Sequence, residues 1–396
     1  MPTKRETKEN KKPKKEINKA IKTLGIDLSI GKVKLCLLIY DKETKKIGGG
    51  WSSLPVNFQY VSEKQYDYLE GLSIAIEAFL DHHNTRAEEI KSIIFCTGGG
   101  YYMAPSFGDG MRYTASIIKM IFPKQKVSFI RVDGELINID DIFELDNSEA
   151  SAFGCTNYLG TSLLAMKNFS DGLAIDMGTI STSIIPIMNN KIDPIASYNP
   201  KGYMLHRYTT GKHIWFGVMH TSLIHITNIA RTRKSNYNLI LRSCSTNTLC
   251  NILGIVEANV VNIHVNESSK ISELEMDYMK LAETIGLDIY SISQEELYEI
   301  AKDIYFQMVR KLSDNIRNIL ANMNYKDFNS LKVLAAGLGQ EAFIIPSLMS
   351  CGFEREQIIT ITEDKHSNLW TATSVYGLAL LALENLIDEK INVSIA

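Results

Sequence analysis

Residues 173–186 read LAIDMGTISTSIIP, and this stretch decides how the chain is read. Leu173–Asp176 is a short apolar run closed by a carboxylate, which is the pattern of a buried strand. Gly178 follows, then the hydroxyl residues Thr179, Ser181, Thr182 and Ser183, then a second apolar run. Strand, tight turn and returning strand are implied. Such a turn offers N–H and O–H donors to an anion, with Gly178 free to take backbone conformations closed to other residues. Asp176, at the strand end, is placed to hold Mg²⁺ through water.

A weaker copy occupies residues 24–38, LGIDLSIGKVKLCLL. Asp27 closes the strand, Ser29 and Gly31 form the turn, and Lys34 opens the next strand. A third unit, residues 332–340 (KVLAAGLGQ), runs a strand into Gly337 and Gly339, where a ligand can approach the backbone closely. Three ordinary strand–turn units of an α/β protein would also fit. Their order is, however, similar to that of the actin-like ATPase and sugar-kinase superfold, which implies two related α/β domains facing each other across a phosphate.

Composition agrees with a soluble globular protein of two domains: 396 residues, 45% hydrophobic and 22% charged. A formal net charge of −3 argues against a general nucleic-acid or membrane-surface binder. Residues 1–22 are the exception, with nine Lys/Arg against three Glu. They are expected to form a disordered tail, with a nucleic-acid arm as the alternative. The expected units are a first domain over 23–165 and a second over 166–396, carrying a polar insertion or mobile subdomain near 230–275. The absence of an apolar run long enough for a membrane or a signal peptide implies a cytoplasmic protein. Six scattered cysteines without a C-x-x-C pair indicate neither a disulfide framework nor a zinc site.

Between the turns, helices are expected over 66–82, 112–122 and 149–166, and strands over 92–96 and 127–132. Residues 274–322 read as helical, with Ser293 and Glu296 as a capping box, and 370–386 as a final apolar helix. Thr97-Gly98-Gly99-Gly100-Tyr101, after a buried strand, resembles the TGGG turn of eukaryotic-type pantothenate kinases and is a candidate cleft lining. Arg112 and Lys119 in the next helix are candidate cleft cations. His206, His213, His220 and His225 crowd together without metal-ligand spacing.

The stretches EASAFGCTNYLGTSLLAM (149–166), GLAIDMGTISTSIIPI (172–187), HRYTTGKHIWFGV (206–218), YMKLAETIGLDIYSISQEELYEIA (278–301) and VLAAGLG (333–339) occur in this order. Together they resemble the hydantoinase A/oxoprolinase-type branch of the superfold. More narrowly, they resemble proteins of one-carbon transfer on methanofuran and tetrahydromethanopterin. That resemblance implies a synthase joining a furanylmethyl diphosphate to the phenol of γ-glutamyltyramine, with diphosphate leaving. It implies a first loop of Asp27, Gly31 and Lys34, with Ser29 a further phosphate-binding candidate there, and a second of Asp176, Gly178, Thr179, Ser181 and Thr182. It adds a substrate-side loop of Arg207, Thr210, Gly211 and Gly217, and a third turn of Gly337 and Gly339. Asp27, Asp176 and Arg207 are the catalytic candidates, with Asp27 and Asp176 holding Mg²⁺ through water. Ser183, His206, Lys212 and Gly99 stand where relatives carry acids, and Ser29-Ile30 replaces a Gly-Gly pair. The alternatives are an ATP-dependent small-molecule kinase and a non-catalytic relative that binds a metabolite or a protein.

Overall fold

The computed structural model describes residues 20–29, 32–56, 65–98, 106–193, 203–240, 244–255, 272–323, 325, 327–361 and 372–391. Residues 1–19, Gly31, Gly99–Tyr101 and Trp370, which carried expectations above, lie outside them.

The first sheet comprises β1 (Ala20–Ser29), β2 (Lys32–Asp41), β3 (Ile47–Pro55), β4 (Ile90–Thr97), β5 (Lys126–Ile130) and β6 (Leu136–Asn138), in the order β3-β2-β1-β4-β5-β6. The β1–β2–β3 meander is antiparallel, and β4 and β5 continue the sheet in parallel. Helices α1 (Gln65–His82), α2 (Phe107–Ile121), α3 (Asn147–Ala150) and α4 (Tyr158–Met166) fall between its strands or follow them.

The second sheet contains β7 (Gly172–Met177), β8 (Thr182–Met188), β9 (Lys191–Ile192), β10 (His213–Ile214), β13 (Lys332–Ala336) and β14 (Ile358–Thr360). Its order is β10-β8-β7-β13-β14, with β9 also on β8. The scheme repeats the first: an antiparallel hairpin β7–β8, then parallel neighbours beyond β7. A separate ribbon, β11 (Ile229–Arg231) and β12 (Asn236–Asn238), lies against a long helix. The remaining helices are α5 (Tyr203–Thr209), α6 (Leu223–Ile226), α7 (Thr246–Leu253), α8 (Glu273–Thr284), α9 (Gln294–Asn322), α10 (Ile345–Ser350) and α11 (Thr373–Ile387).

Strand alternation sorts the core into layers. On β1, Leu24, Ile26 and Leu28 face the outer core of the first half with Leu72, Phe79 and Ile118. On β7, Leu173, Ile175 and Met177 face the outer core of the second, built on α9 through Leu297, Ile304 and Ile316. The opposite faces share an inner core: Cys36, Leu38 and Cys96 of the first sheet, Ala174, Ile185 and Leu334 of the second, and Leu159, Val375 and Leu378 of α4 and α11. Two sheets thus close on a central pair of helices, and the last helix of the chain returns to the first sheet.

That pair crosses with backbone against backbone. A Cβ on Gly160 would lie 1.8 Å from Ser374 O, and one on Gly377 2.0 Å from Gly160 O. Gly25 of β1 is as tight, 2.1 Å from Val375 O. Only glycine allows these approaches.

Several local expectations change. Residues 149–166 form no single helix: the chain leaves helical geometry at Gly154–Cys155, where Cys155 takes φ 55, before α4 begins. The span 274–322 breaks at Gly286, φ +78. Ser293 caps α9 by accepting from Glu296 N, while the Glu296 carboxylate accepts from Tyr237 Oη at 2.7 Å. Within 230–275, Ala230, Leu239, Leu249 and Ile252 are buried in the outer core of the second half. All six cysteines are free. Among the described residues no helix is long and apolar enough to cross a membrane.

Candidate functional site

Asp27 and Asp176 occupy the same place in the two halves, at the end of the first strand of each sheet and on its inner face. Asp27 sits opposite Lys34 and beside Cys96; Asp176 sits opposite Ser183 and beside Ala336. The inner helices meet both carboxylates. Ser374 at the start of α11 donates to Asp27 Oδ2 at 3.0 Å, and Thr161 of α4 donates to Asp176 Oδ2 at 2.8 Å. Thr161 adjoins Gly160 in sequence, so both hydroxyls belong to the helix crossing.

The two carboxylates differ in what remains available. Asp27 is fully buried. Ser29 Oγ donates to its Oδ1 at 3.1 Å, and Lys34 Nζ lies 3.8 Å from its Oδ2. Its neighbour Cys96 is held as a thiol, its pKa pushed well up by burial and then by the Asp27 charge. Asp176 is half-exposed and has Thr161 as its hydroxyl donor. Asp176 is therefore the carboxylate open to a ligand.

Gly337 completes this corner. Its φ is +85, and a Cβ would fall 2.5 Å from both Asp176 Oδ1 and Met177 O. Gly339 donates its N–H to Met177 O at 3.1 Å, and a Cβ there would strike Met177 Sδ. The third glycine turn lies against the second Asp turn, as its sequence position implied.

Gly178 does not need its glycine freedom. Its φ lies outside the left-handed region, and a Cβ would meet only Ser181 O at 3.7 Å. What shapes this turn is a clamp from 216–220. Thr182 Oγ1 donates to Phe216 O at 2.5 Å, Val218 N donates to Gly178 O, and Met219 N and His220 N donate to Thr179 O. Gly217 allows the clamp, since a Cβ would lie 2.4 Å from Ile180 N. Thr182 is thus committed to structure; Gly178, Thr179 and Ser181 stay half-exposed.

The other proposed site residues have partners within the frame. Thr97 Oγ1 donates to Leu28 O at 3.2 Å and Gly98 N to the same carbonyl at 2.8 Å, which ties β4 to the first Asp turn. Arg207 is 2% exposed, with its guanidinium 3.6 Å from the Tyr158 ring centroid and Nη2 donating to Lys212 O. Thr210 Oγ1 donates to His206 O, and Gly211 ends α5 at φ +72. Arg112 and Lys119 are engaged within the first half, Arg112 with Leu145 O and Asn147, Lys119 with Asp140.

Three of the substituted acidic positions find partners within the fold. Lys212 Nζ lies 2.7 Å from Asp193 Oδ1 in a buried pair and 3.2 Å from His206 Nε2. Ser183 Oγ contacts His213 Nδ1 at 3.3 Å. Burial, and then the Arg207 charge, press the His213 pKa down to about 3. Folded His213 therefore refuses a proton that unfolded His213 accepts below about pH 6.5. The unfolded chain binds more protons in the window between these values, so stability falls as pH drops through it. Thermal unfolding at pH 7 and 5 is expected to show a larger loss of Tm for the wild type than for His213→Gln; equal losses would remove His213 as a source.

Thr161 and Ser374 were missed by the sequence reading.

No protein-family profile and no curated protein matches the chain. Solved structures do. Acetone carboxylase, an enzyme of ATP-dependent acetone carboxylation, in nucleotide-free form, aligns with TM-score 0.54 at 10% identity over 91% of this chain and 70% of that one. Component A of (R)-2-hydroxyglutaryl-CoA dehydratase from Acidaminococcus fermentans gives 0.42 at 14% over 93% and 99%. Ethanolamine utilization protein EutJ from Carboxydothermus hydrogenoformans gives 0.40 at 10% over 90% and 89%. At such identities the likeness bears on the fold alone. The acetone carboxylase likeness, with the repeated sheet order, gives a two-domain actin-like α/β architecture.

Proposed function

We propose that this chain binds the phosphate chain of ATP with Mg²⁺ between its two Asp turns and hydrolyses or transfers the terminal phosphoryl group. One observation carries this: two carboxylates stand at equivalent strand ends on the inner faces of the two sheets, each met by a hydroxyl of the central helices, and Asp176 is half-exposed beside the half-exposed Gly178–Ser181 turn. The ATP dependence of the structurally similar acetone carboxylase supports the choice of nucleotide.

The residues fit the ion. Mg²⁺ takes hard oxygen donors and keeps waters, needing one or two carboxylates beside ligand phosphates. Asp176 offers such an oxygen. Among the described residues no group of three or more His, Cys, Asp or Glu forms a complete metal cage. When bound, the ion would neutralise charge on phosphoryl oxygens. The half-exposed Gly178–Ser181 turn would supply donors, Asp27 pairs with Lys34, and Gly337 lets the Asp176 carboxylate lie against the backbone of the third turn. Asp176→Ala is expected to abolish Mg²⁺-dependent binding by calorimetry while leaving Tm within a few degrees. Unchanged binding would make the second Asp turn purely structural.

A finer reading uses the same phosphate chamber for aryl-ether formation on a furanylmethyl diphosphate. It is favoured by an aromatic ledge beside Ser183, in which Tyr208 stacks near Trp215 and His213 meets both edge-on, with Trp215 exposed. Such a ledge suits a phenol acceptor. Titration with ATP–Mg²⁺ against pyrophosphate–Mg²⁺ separates the two. Micromolar ATP binding supports the nucleotide enzyme; pyrophosphate binding without ATP supports the synthase; binding of neither overturns both.

A further inference from the structure

The first sheet ends at β3, and among the described residues no strand pairs with its outer edge. The register fixes which backbone groups lie on that edge. Opposed residues of an antiparallel pair alternate between pairs that exchange both hydrogen bonds and pairs that exchange none. Asp41 N donates to Lys46 O, so Ile39, Leu37, Leu35 and Val33, in steps of two, also bond toward β3. Their partners Gly48, Gly50, Ser52 and Leu54 are thus taken up by β2. Ile47, Gly49, Trp51 and Ser53 turn their N–H and C=O groups outward. The same alternation, carried through β1, leaves Leu28 to bond toward β4, where its carbonyl accepts from Gly98 N.

β3 reads IGGGWSSLP, nine residues without a charge, and its pairing with β2 runs without a bulge. Gly48, Gly49 and Ser53 are exposed. Charges and bulges are the usual means of keeping a bare edge from pairing. Pro55, which lacks an N–H, closes the strand and limits any pairing to the stretch before it.

We propose that β3 is a homodimer interface, at which a second copy of this chain adds its own β3 antiparallel across a twofold axis. The edge is complementary to itself. In an isologous contact, residue i of one copy meets j of the other and j meets i. Only the register with Gly50 opposite Gly50 sets all four outward residues against one another: Ile47 with Ser53, and Gly49 with Trp51, each twice. About eight backbone hydrogen bonds result, and no like charges meet. Ile47, Gly49, Trp51 and Ser53 share the face on which Ile47 and Trp51 pack against the inner core. Gly49 is held at φ +134 with Leu37 O 2.0 Å from where a Cβ would stand, so that face is bare at its position. The half-buried Trp51 of the other copy lies across it, and aromatic side chains laid over edge glycines offset their cost. A peptide of unrelated sequence would gain the backbone bonds alone; a second copy gains the Trp51–Gly49 match twice.

Sedimentation velocity of the full chain tests this. A lone strand pair is a small interface, so monomer is expected to give way to dimer between about 1 and 200 µM. Ser53→Pro removes an outward donor and sets a ring into the pairing space, while the inward bonds of Ser52 and Leu54 remain. It is expected to stay monomeric throughout. Gly48→Lys sets a charge beside the edge, where a Cβ meets nothing within 4 Å, and should weaken the dimer about tenfold or more. Both variants should melt within a few degrees of the wild type at the dilute end; if Ser53→Pro melts early, Gly48→Lys decides alone. Cysteine pairs read the register: Ile47→Cys/Ser53→Cys should form covalent dimers on mild oxidation, and Ser53→Cys alone should not. A wild type that remains monomeric, a dimer that survives Gly48→Lys and a folded Ser53→Pro unchanged, or equal cross-linking by Ser53→Cys alone overturns the proposal.

Discussion

Gly160→Ala is expected to be among the most damaging single-methyl additions in this chain. The new Cβ would lie 1.8 Å from Ser374 O and 2.6 Å from Ser374 C, both backbone atoms of a packed helix. No side chain can swing aside, so α4 and α11 must separate or one of them must shift. Overpacking ordinarily costs about 1–3 kcal/mol. A backbone collision at the centre of the inner core belongs at or above the top of that range, and a loss of Tm on the order of 5–10 °C is expected. Gly71→Ala is the control. A Cβ on that glycine of α1 meets only Val56 Cγ1 at 3.8 Å, and alanine is the better helix former by about 1 kcal/mol. Equal melting temperatures for the two variants would show that the crossing tolerates separation.

The second large effect falls on Asp27. Its removal takes the acceptor from Ser29 and Ser374 and leaves Lys34, 14% exposed, without its carboxylate. Breaking a buried pair by removing one partner costs about 3–5 kcal/mol. Asp27→Ala should therefore unfold at a clearly lower temperature than Asp176→Ala, whose carboxylate is half-exposed. Asp27→Ala/Lys34→Met should recover part of the loss, because the stranded ammonium is then gone. A double variant no more stable than the single one would place the energy in the two serine hydrogen bonds instead.

The contrast between these carboxylates marks what sequence could and could not disclose. Both Asp turns, the third glycine turn and the hairpin order were legible, because each is local: a strand-length apolar run, a carboxylate, a turn. The different duties of Asp27 and Asp176 were not. Ser374 lies 347 positions from Asp27 along the chain, and no periodicity links them. The helix over 149–166 was misread because its apolar spacing continues through Gly154 and Cys155, whereas the backbone does not. Arg207 was a catalytic candidate by resemblance; its place over the Tyr158 ring is a long-range contact that no local pattern signals.

The close contact of α4 and α11 carries one more consequence. A distance set by side chains drifts as those side chains are exchanged, whereas one set by two main chains in contact is a gauge block. Here the block is Gly160 against Gly377, and each of its jaws ends in a hydroxyl, Ser374 on one aspartate and Thr161 on the other. The span between Asp27 and Asp176 is thereby machined into the scaffold, so the surrounding loops can change while the two carboxylates keep their separation.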